Sequence, residues 1–403
     1  GAHGTAIGFM MEYSGMGFID AVKDLASRVS MQVPEQEGRR REQHEGPRTV
    51  DLVETMARAA AWYREQLKQS PRAIDYLKRR GLTGEICKTF GIGYAPDGWQ
   101  GLEAVFSDYN APELLAAGLV IENEQGRRYD RFRDRIMIPI VNPKGEVIAF
   151  GGRVLDVGEP KYLNSPETPL FEKGRELFGL PQARAALRET DTAIVVEGYM
   201  DVVALAQHGV GNALATLGTA TTTVHVQKLL RQVDRIVFCF DGDNAGRKAA
   251  WRALENSLEA LPDKKTIGFV FLPEAHDPDS YVREFGKDAF NRMVAQATPL
   301  SDFLLRELGS HCDLTSAEGK AKLVADAKPL LHKLQTPLLR LQLVKRLAEA
   351  SGFTQQEVER LCELRQFTPA APARAPRMSP ASTFMKKLVQ LVLQKPELAH
   401  RLP

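Results

Sequence analysis

The 403-residue chain is 43% hydrophobic and 26% charged, the balance of an ordinary soluble globular protein, and it is long enough for two or three domains. No apolar run approaches the ~18 residues that span a bilayer and nothing near the start reads as a signal peptide, so no membrane-spanning helix is expected. A net charge of +2 is too small for diffuse nucleic-acid binding, and Cys87, Cys239, Cys312 and Cys362 form no C-x-x-C pair, so neither a disulfide framework nor a zinc site is expected.

Residues 1–30 read as two short helices, with Ile7, Phe9 and Met10 and then Phe18, Ile19, Val22 and Leu25 at helical spacing. With no initiator Met, the chain is expected to begin inside a longer protein. Residues 33–48 read as a linker, polar and punctuated by Pro34, Gly38, Gly46 and Pro47. The next helix, over 49–70, aligns Leu52, Met56, Ala59, Ala60, Tyr63 and Leu67; Pro71 starts another that ends at Gly81, a left-handed cap. The stretch 127–135 interleaves arginines with Tyr129 and Phe132, a mixture suited to phosphates and unstacked bases as well as to a solvated face. A hairpin follows: strands 135–141 and 146–150 about the turn Asn142-Pro143-Lys144-Gly145, running into Gly151-Gly152-Arg153, where small residues let a backbone or ligand come close.

From 192 to 273 apolar strand-like runs (193–196, 213–217, 235–240, 267–272) alternate with amphipathic helices (200–208, 222–231, 245–261), the pattern of a mainly parallel sheet covered by helices. The pattern is helical from 287 to 365. A Pro/Ala linker follows over 367–376, and 384–400 reads as one more amphipathic helix.

Sites in open parallel sheets form beyond the carboxyl ends of the strands. Three acidic motifs fall at such ends: Glu197-Gly198-Tyr199-Met200-Asp201, Asp241-Gly242-Asp243 and Asp277-Pro278-Asp279. Each alone suits a helix N-cap. Three in succession point to a metal site, with Asp241 and Asp243 aimed alike by the two-residue strand period and Gly242 sparing the ion a crowding side chain. Carboxylates gathered without a cation repel and raise one another's pKa; Mg²⁺ relieves this and keeps waters for substrate phosphates.

These three motifs resemble a TOPRIM domain. Asp130-Arg131-Phe132-Arg133, Phe150-Gly151-Gly152-Arg153 and Lys161-Tyr162-Leu163-Asn164-Ser165-Pro166-Glu167-Thr168 resemble the basic motifs of DnaG-type bacterial primases, and the resemblance covers almost the whole chain. It implies a multidomain α/β (α+β) fold, a TOPRIM parallel-sheet domain preceded by a mixed α/β subdomain and followed by a helical bundle. The implied divisions are a remnant after an absent zinc-binding module (1–32), a linker (33–48), a basic subdomain (49–190), the TOPRIM domain (191–286), a helical subdomain (287–366), a linker (367–382) and the truncated start of a helicase-binding domain (383–403).

The implied activity is primer synthesis: a primer 3′-hydroxyl attacks the α-phosphate of a ribonucleotide and pyrophosphate leaves. Glu197, Asp201, Asp241 and Asp243 are implied as catalytic, with Glu197 the central carboxylate. Glu197, Asp241, Asp243, Asp277 and Asp279 are implied as holding Mg²⁺ or Mn²⁺. Arg80, Arg131, Arg133, Arg153, Lys161, Tyr162, Asn164 and Lys173 are implied along the nucleotide and template path, with Arg79 the alternative to Arg80. Zinc is expected only in the full-length protein. The implied partners are single-stranded DNA, ribonucleoside triphosphates, the RNA primer and the replicative helicase, around a monomer in the bacterial cytoplasm at replication forks.

A topoisomerase or nuclease shares such an acidic site, but no segment remains for a strand-passage domain with its tyrosine. A fused primase-helicase needs a Gly-x-x-x-x-Gly-Lys-[Ser/Thr] loop, and Gly319-Lys320 runs on into Ala321. A degenerate nucleic-acid-binding scaffold would lack acidic residues, and all three motifs are intact.

Overall fold

The computed structural model describes residues 48–364, residue 157 apart, together with Lys387 and residues 393–394. The helices expected over 1–30, the 33–48 linker short of Arg48, the Pro/Ala linker and nearly all of the 384–400 helix lie outside the described residues. The described residues from Thr49 to Leu364 belong to one compact unit.

Helix α1 (Thr49–Lys68) buries Leu52, Met56, Ala59, Ala60 and Tyr63, the face its spacing dictates. It stops before Pro71, the first residue of α2 (Pro71–Arg79), whose N-terminus is capped by the Ser70 hydroxyl accepting from the Ala73 N–H at 3.3 Å. Gly81 takes a φ of +76°, the left-handed turn that lets the chain leave α2. Then come α3 (Gly84–Thr89), β1 (Gly93–Ala95), a 3₁₀ turn (Gly101–Ala104), α4 (Pro112–Ala116) and the ribbon β2 (Val120–Glu122) with β3 (Arg128–Asp130).

The expected hairpin is β4 (Arg135–Val141) and β5 (Val147–Val154). With β6 (Tyr162–Asn164) it builds an antiparallel sheet in the order β1-β4-β5-β6. Its pleat alternates: Ile136, Ile138 and Ile140 face the core shared with the second sheet, while Met137 and Phe150 face α1. Gly151 and Gly152 are needed here. A Cβ at either would lie 2.8 Å from the Tyr199 ring or 2.9 Å from that of Phe132, so what comes close is this chain's own aromatic side chains.

The second half runs α5 (Leu180–Thr190), β7 (Thr192–Val196), α6 (Tyr199–Gln207), β8 (Ala213–Ala215), α7 (Thr223–Leu230), β9 (Arg235–Phe240), α8 (Asn244–Leu258), β10 (Thr266–Phe271), α9 (Pro278–Ala295) and β11 (Thr298–Pro299). The sheet order is β11-β10-β9-β7-β8, all parallel but for the short edge strand β11. The chain passes from β7 outward to β8, then returns to β9 on the other side, so winding reverses between β7 and β9. Ile236, Phe238 and Phe240 face one core and Val237 and Cys239 the other.

Helices α10 (Leu300–Ser310), α11 (Ala317–Lys333), α12 (Pro337–Ser351) and α13 (Gln355–Leu361) pack on the first of these cores through Phe303, Leu330 and Leu347. Gly286, the last residue of the expected TOPRIM division, takes a φ of 79° within α9. Phe290 and Val294 beyond it still pack with the sheet, because their burial continues the β9–β10 core.

Candidate active site

The reversal between β7 and β9 leaves a crevice at their carboxyl ends, and two acidic motifs open there. Glu197 follows β7 directly, and Asp241 follows β9. Asp201 lies in the first turn of α6, and the third motif begins α9.

Burial raises the Glu197 pKa, and the charges of Asp241 and Asp243 raise it further. Burial, then Asp277 and Asp243, raise Asp241. Burial followed by Asp277, Asp241 and Asp279 pushes Asp201 up to about 7. The three motifs therefore share one electrostatic field, as their spacing along the chain alone does not require.

Two of the carboxylates also do what the blander reading offered. Asp243 is the N-cap of α8, its Oδ1 accepting from the Gly246 N–H at 2.7 Å. Asp277 is the N-cap of α9 in a reciprocal box with Ser280, accepting at 2.7 Å. Burial would raise Asp277, but the Ser280 N–H and hydroxyl and nearby Arg80 outweigh it and hold this carboxyl below its usual range.

The strand-period argument for Asp241 and Asp243 fails in detail: β9 ends at Phe240, so both lie in the turn. Gly242 has another reason too. A Cβ there would stand 2.2 Å from the Leu272 carbonyl oxygen, so the glycine makes room for the segment that follows β10. Gly198 is the residue that yields to a carboxylate, since its Cβ would lie 2.6 Å from Asp201 Oδ2.

Asp279 is buried and paired with Arg283 and, at 3.9 Å, with Arg80. Arg79 instead pairs with Asp156 at 3.3 Å, so of the two neighbours Arg80 faces the acidic set. Arg80 Nε is buried without a hydrogen-bond partner.

Among the described residues no three His, Cys, Asp or Glu side chains are already gathered around one ion position. Mg²⁺ needs only one or two carboxylates and completes its shell with water and substrate phosphates, so Glu197 and Asp241 fit it better than they would a closed cage. The neighbouring carboxylates that add to burial in raising both pKa values are the repulsion such a cation offsets.

The basic residues divide. Arg153 is buried, its Nε donating to the Tyr76 hydroxyl at 2.5 Å and its Nη1 to that of Tyr162, with the guanidinium 4.9 Å from the Tyr162 ring. Asn164 bridges the two sheets: its Nδ2 donates to the Leu217 carbonyl at 3.2 Å and its Oδ1 accepts from the Tyr199 hydroxyl at 2.7 Å. Arg131 reaches the Asn164 carbonyl at 3.4 Å, and burial lowers its pKa. Arg133 turns away to Trp99 and Tyr129, its guanidinium 4.4 and 5.2 Å from their rings. Lys161 is exposed. Lys173 is held through its backbone, its N–H donating to Glu167 at 3.1 Å and its carbonyl accepting from His225 at 3.1 Å.

Sequence reasoning passed over two features. The loop after β8 brings Thr216, Gly218 and Thr219 to Glu197 in a recess of about 250 Å³ that Arg252 also lines. The search for acids ignored it, although it too follows a strand end. Trp99, 66% exposed and edge-on to Tyr129 at 5.4 Å, sits in a loop with no periodicity to mark it.

Three family models match the chain. That of the DNA primase catalytic core, N-terminal domain, covers residues 62–184, and a Toprim-like model covers 194–282. That of the DnaB-helicase binding domain of primase covers 301–356, ahead of the 383–403 segment where the sequence reading put the start of that module. A DNA primase of Neisseria meningitidis serogroup A is 51% identical over 370 residues, 90% of this chain and 62% of that protein, so the chain spans about three fifths of its length. The crystal structure of a DNA primase domain from Pseudomonas aeruginosa, 50% identical, superposes with a TM-score of 0.75 over 77% of this chain and 99% of that one. A DnaG primase catalytic domain bound to single-stranded DNA, 44% identical, gives 0.72 over 76% and 98%. An acidic crevice at the reversal of a TOPRIM sheet, a basic antiparallel subdomain locked to it through Asn164 and Tyr199, and relatives this similar over nearly their whole catalytic cores place the chain in the DnaG-type family of bacterial primases.

Proposed function

We propose that this chain carries the polymerase activity of a bacterial primase, joining ribonucleotides into a short RNA on single-stranded DNA. The observation that carries the reading is that burial and neighbouring carboxylates raise both Glu197 and Asp241 at the β7–β9 reversal, with Arg80 facing the same carboxylate set through Asp279.

Glu197 and Asp241 would hold Mg²⁺ or Mn²⁺, with Asp243, Asp277 and Asp279 in support; such an ion, when bound, stabilises charge on the attacking and leaving oxygens. Glu197, with its pKa raised, accepts the proton of the attacking primer 3′-hydroxyl. Asp201 supports this pair with a carboxyl that burial and three neighbouring carboxylates push up to about 7. Arg80, whose side chain is partly exposed beside Asp279, offers its guanidinium to the phosphates of the incoming nucleotide.

Tyr162 and Asn164 shape the floor between the sheets, with Arg153 and Arg131 locking it. Arg133 braces Trp99 and Tyr129 as a platform on which an unstacked template base can lie, and Lys161 and Lys173 add charge along that path. The helicase is a further partner, through residues that include 301–356, and the protein works as a monomer in the bacterial cytoplasm.

The test is incorporation of labelled ribonucleotides on single-stranded DNA with Mg²⁺ or Mn²⁺. Template-dependent short RNA is the expected product. Strand cleavage or relaxation without synthesis would replace this reading with a nuclease or topoisomerase.

A further inference from the structure

On the basic subdomain, α1, α2 and α3 enclose a groove of about 750 Å³ that the polymerase chemistry does not use. Its floor is aliphatic: Leu77, Leu82 and Ile92 are buried, and Leu67, Ile74 and Cys87 half-buried. Its rim is basic. Arg64, Lys68, Lys78 and Lys88 are exposed around it against one carboxylate, Glu65, which pairs with Lys68 at 2.6 Å. Arg64, Lys78 and Lys88 have no ion-pair partner among the described residues. In a chain whose net charge is only +2 this is a local excess.

The volume is that of a ligand-sized pocket, and an open apolar trough between helices is the shape that receives one face of another helix. A nucleic-acid strand fits it poorly. The floor has no aromatic ring on which a base could stack, whereas the Arg133–Trp99–Tyr129 cluster elsewhere on the subdomain has two.

We infer that this groove docks an acidic amphipathic helix of a partner protein, its apolar side chains at i, i+3 or i+4 and i+7 on the aliphatic floor and its flanking carboxylates against the rim of Arg64, Lys68, Lys78 and Lys88. The charge complementarity fixes the class of partner: a neutral helix leaves Arg64, Lys78 and Lys88 unanswered, and a basic one repels them. One wall of the groove, α2, leads into Arg80, which pairs with Asp279 of the acidic set.

The experiment uses the intact chain and fluorescence anisotropy of a labelled peptide of about four helical turns, Leu and Phe along one face and Glu on the others. Controls are the same peptide with Lys for every Glu and a thymidine oligonucleotide. The acidic peptide should bind at least about tenfold tighter than its Lys counterpart, and more weakly as salt rises. The double variant Lys78→Glu/Lys88→Glu, at two exposed positions, should weaken it by a similar factor while leaving thermal melting unchanged. Gly84→Trp should also weaken it, since a side chain at Gly84 meets open space at the groove lip. No binding of the acidic peptide at millimolar concentration, equal binding of the Lys peptide, or indifference to the lysine reversal overturns the inference. Oligonucleotide binding that the reversal abolishes assigns the groove to nucleic acid instead.

Discussion

The acidic crevice and the basic subdomain differ in how their charges are spent. Glu197 and Asp241 have no cationic partner among the described residues, and neighbouring carboxylates add to burial in raising both, so the energy of holding these charges together is left for a ligand to recover. The arginines of the antiparallel subdomain are largely committed. Arg153 bonds to two tyrosines, Arg131 reaches a backbone carbonyl, Arg135 is buried against the carbonyl of Pro160 at 2.8 Å, and Arg133 is sandwiched with aromatic rings. Unpartnered like charges mark a site more reliably than a dense run of arginines, because a guanidinium has five donors with which to build structure.

The largest effects should come from the uncommitted carboxylates. Glu197→Gln and Asp241→Asn are each expected to cut ribonucleotide incorporation at least about a thousandfold, ~4 kcal/mol in the barrier. Without divalent ions either variant should melt no lower than the parent, since each removes a repulsion. Near-normal synthesis by either would falsify the site.

Arg153→Ala tests the other side of the contrast. It leaves two tyrosine hydroxyls without their donor and opens a buried space, so it should cost about 2–4 kcal/mol in denaturant unfolding. Arg153→Lys should restore little of this, having no planar fork to serve both rings. Unchanged stability would show the guanidinium free for ligand.

Trp99→Ala is expected to weaken single-strand binding about tenfold, within the ~1–3 kcal/mol of a base–aromatic stack, with little change in stability at so exposed a position. Lys161→Ala should do less, flattening the log–log salt dependence of that binding by ~0.7. If Trp99→Ala changes the salt slope instead of the affinity, the platform reading fails.

An effect of similar size to the loss of Trp99 is a pH dependence inside the basic subdomain. Asp130 is 2% exposed; burial pushes its carboxyl up to about 6, against the Tyr109 hydroxyl and the Leu102 N–H that donate to it. A carboxyl raised on folding favours the protonated form, so its contribution is complete below the ordinary value of 3.8 and is lost as pH rises through about 6. Stability of the parent should fall by ~1–2 kcal/mol across that window, after allowance for solvent screening. Asp130→Asn should flatten the fall; an identical pH profile in the variant would remove Asp130 as its cause.

Period and punctuation made much of this legible along the chain. The alternation of strands and helices from 192 to 273 is the sheet that forms, because each apolar run of four to six residues between amphipathic helices has only a buried parallel strand to become. Acidic residues directly after such strands are at the carboxyl edge whatever the strand order. The resemblance to primases rested on those residues together with the basic motifs, and it covered the same chain that the relatives share.

Strand order is what the chain could not display. Whether β7 lies beside β9 depends on which edges pair in space, and that pairing alone makes Glu197 and Asp241 neighbours. The same holds for Asp243 and Asp277, whose capping bonds are set by where their helices begin. The arginine run shows the limit from the other side: its composition is written in the sequence, but Arg133 stacks on Trp99 and Arg131 turns to Asn164 because distant segments pack there. The sequence by itself determined which residues carry charge and at which ends of which elements they stand, since those follow from local period. Only the tertiary structure decided which charges meet, since a Coulomb interaction depends on distance through space and not along the chain.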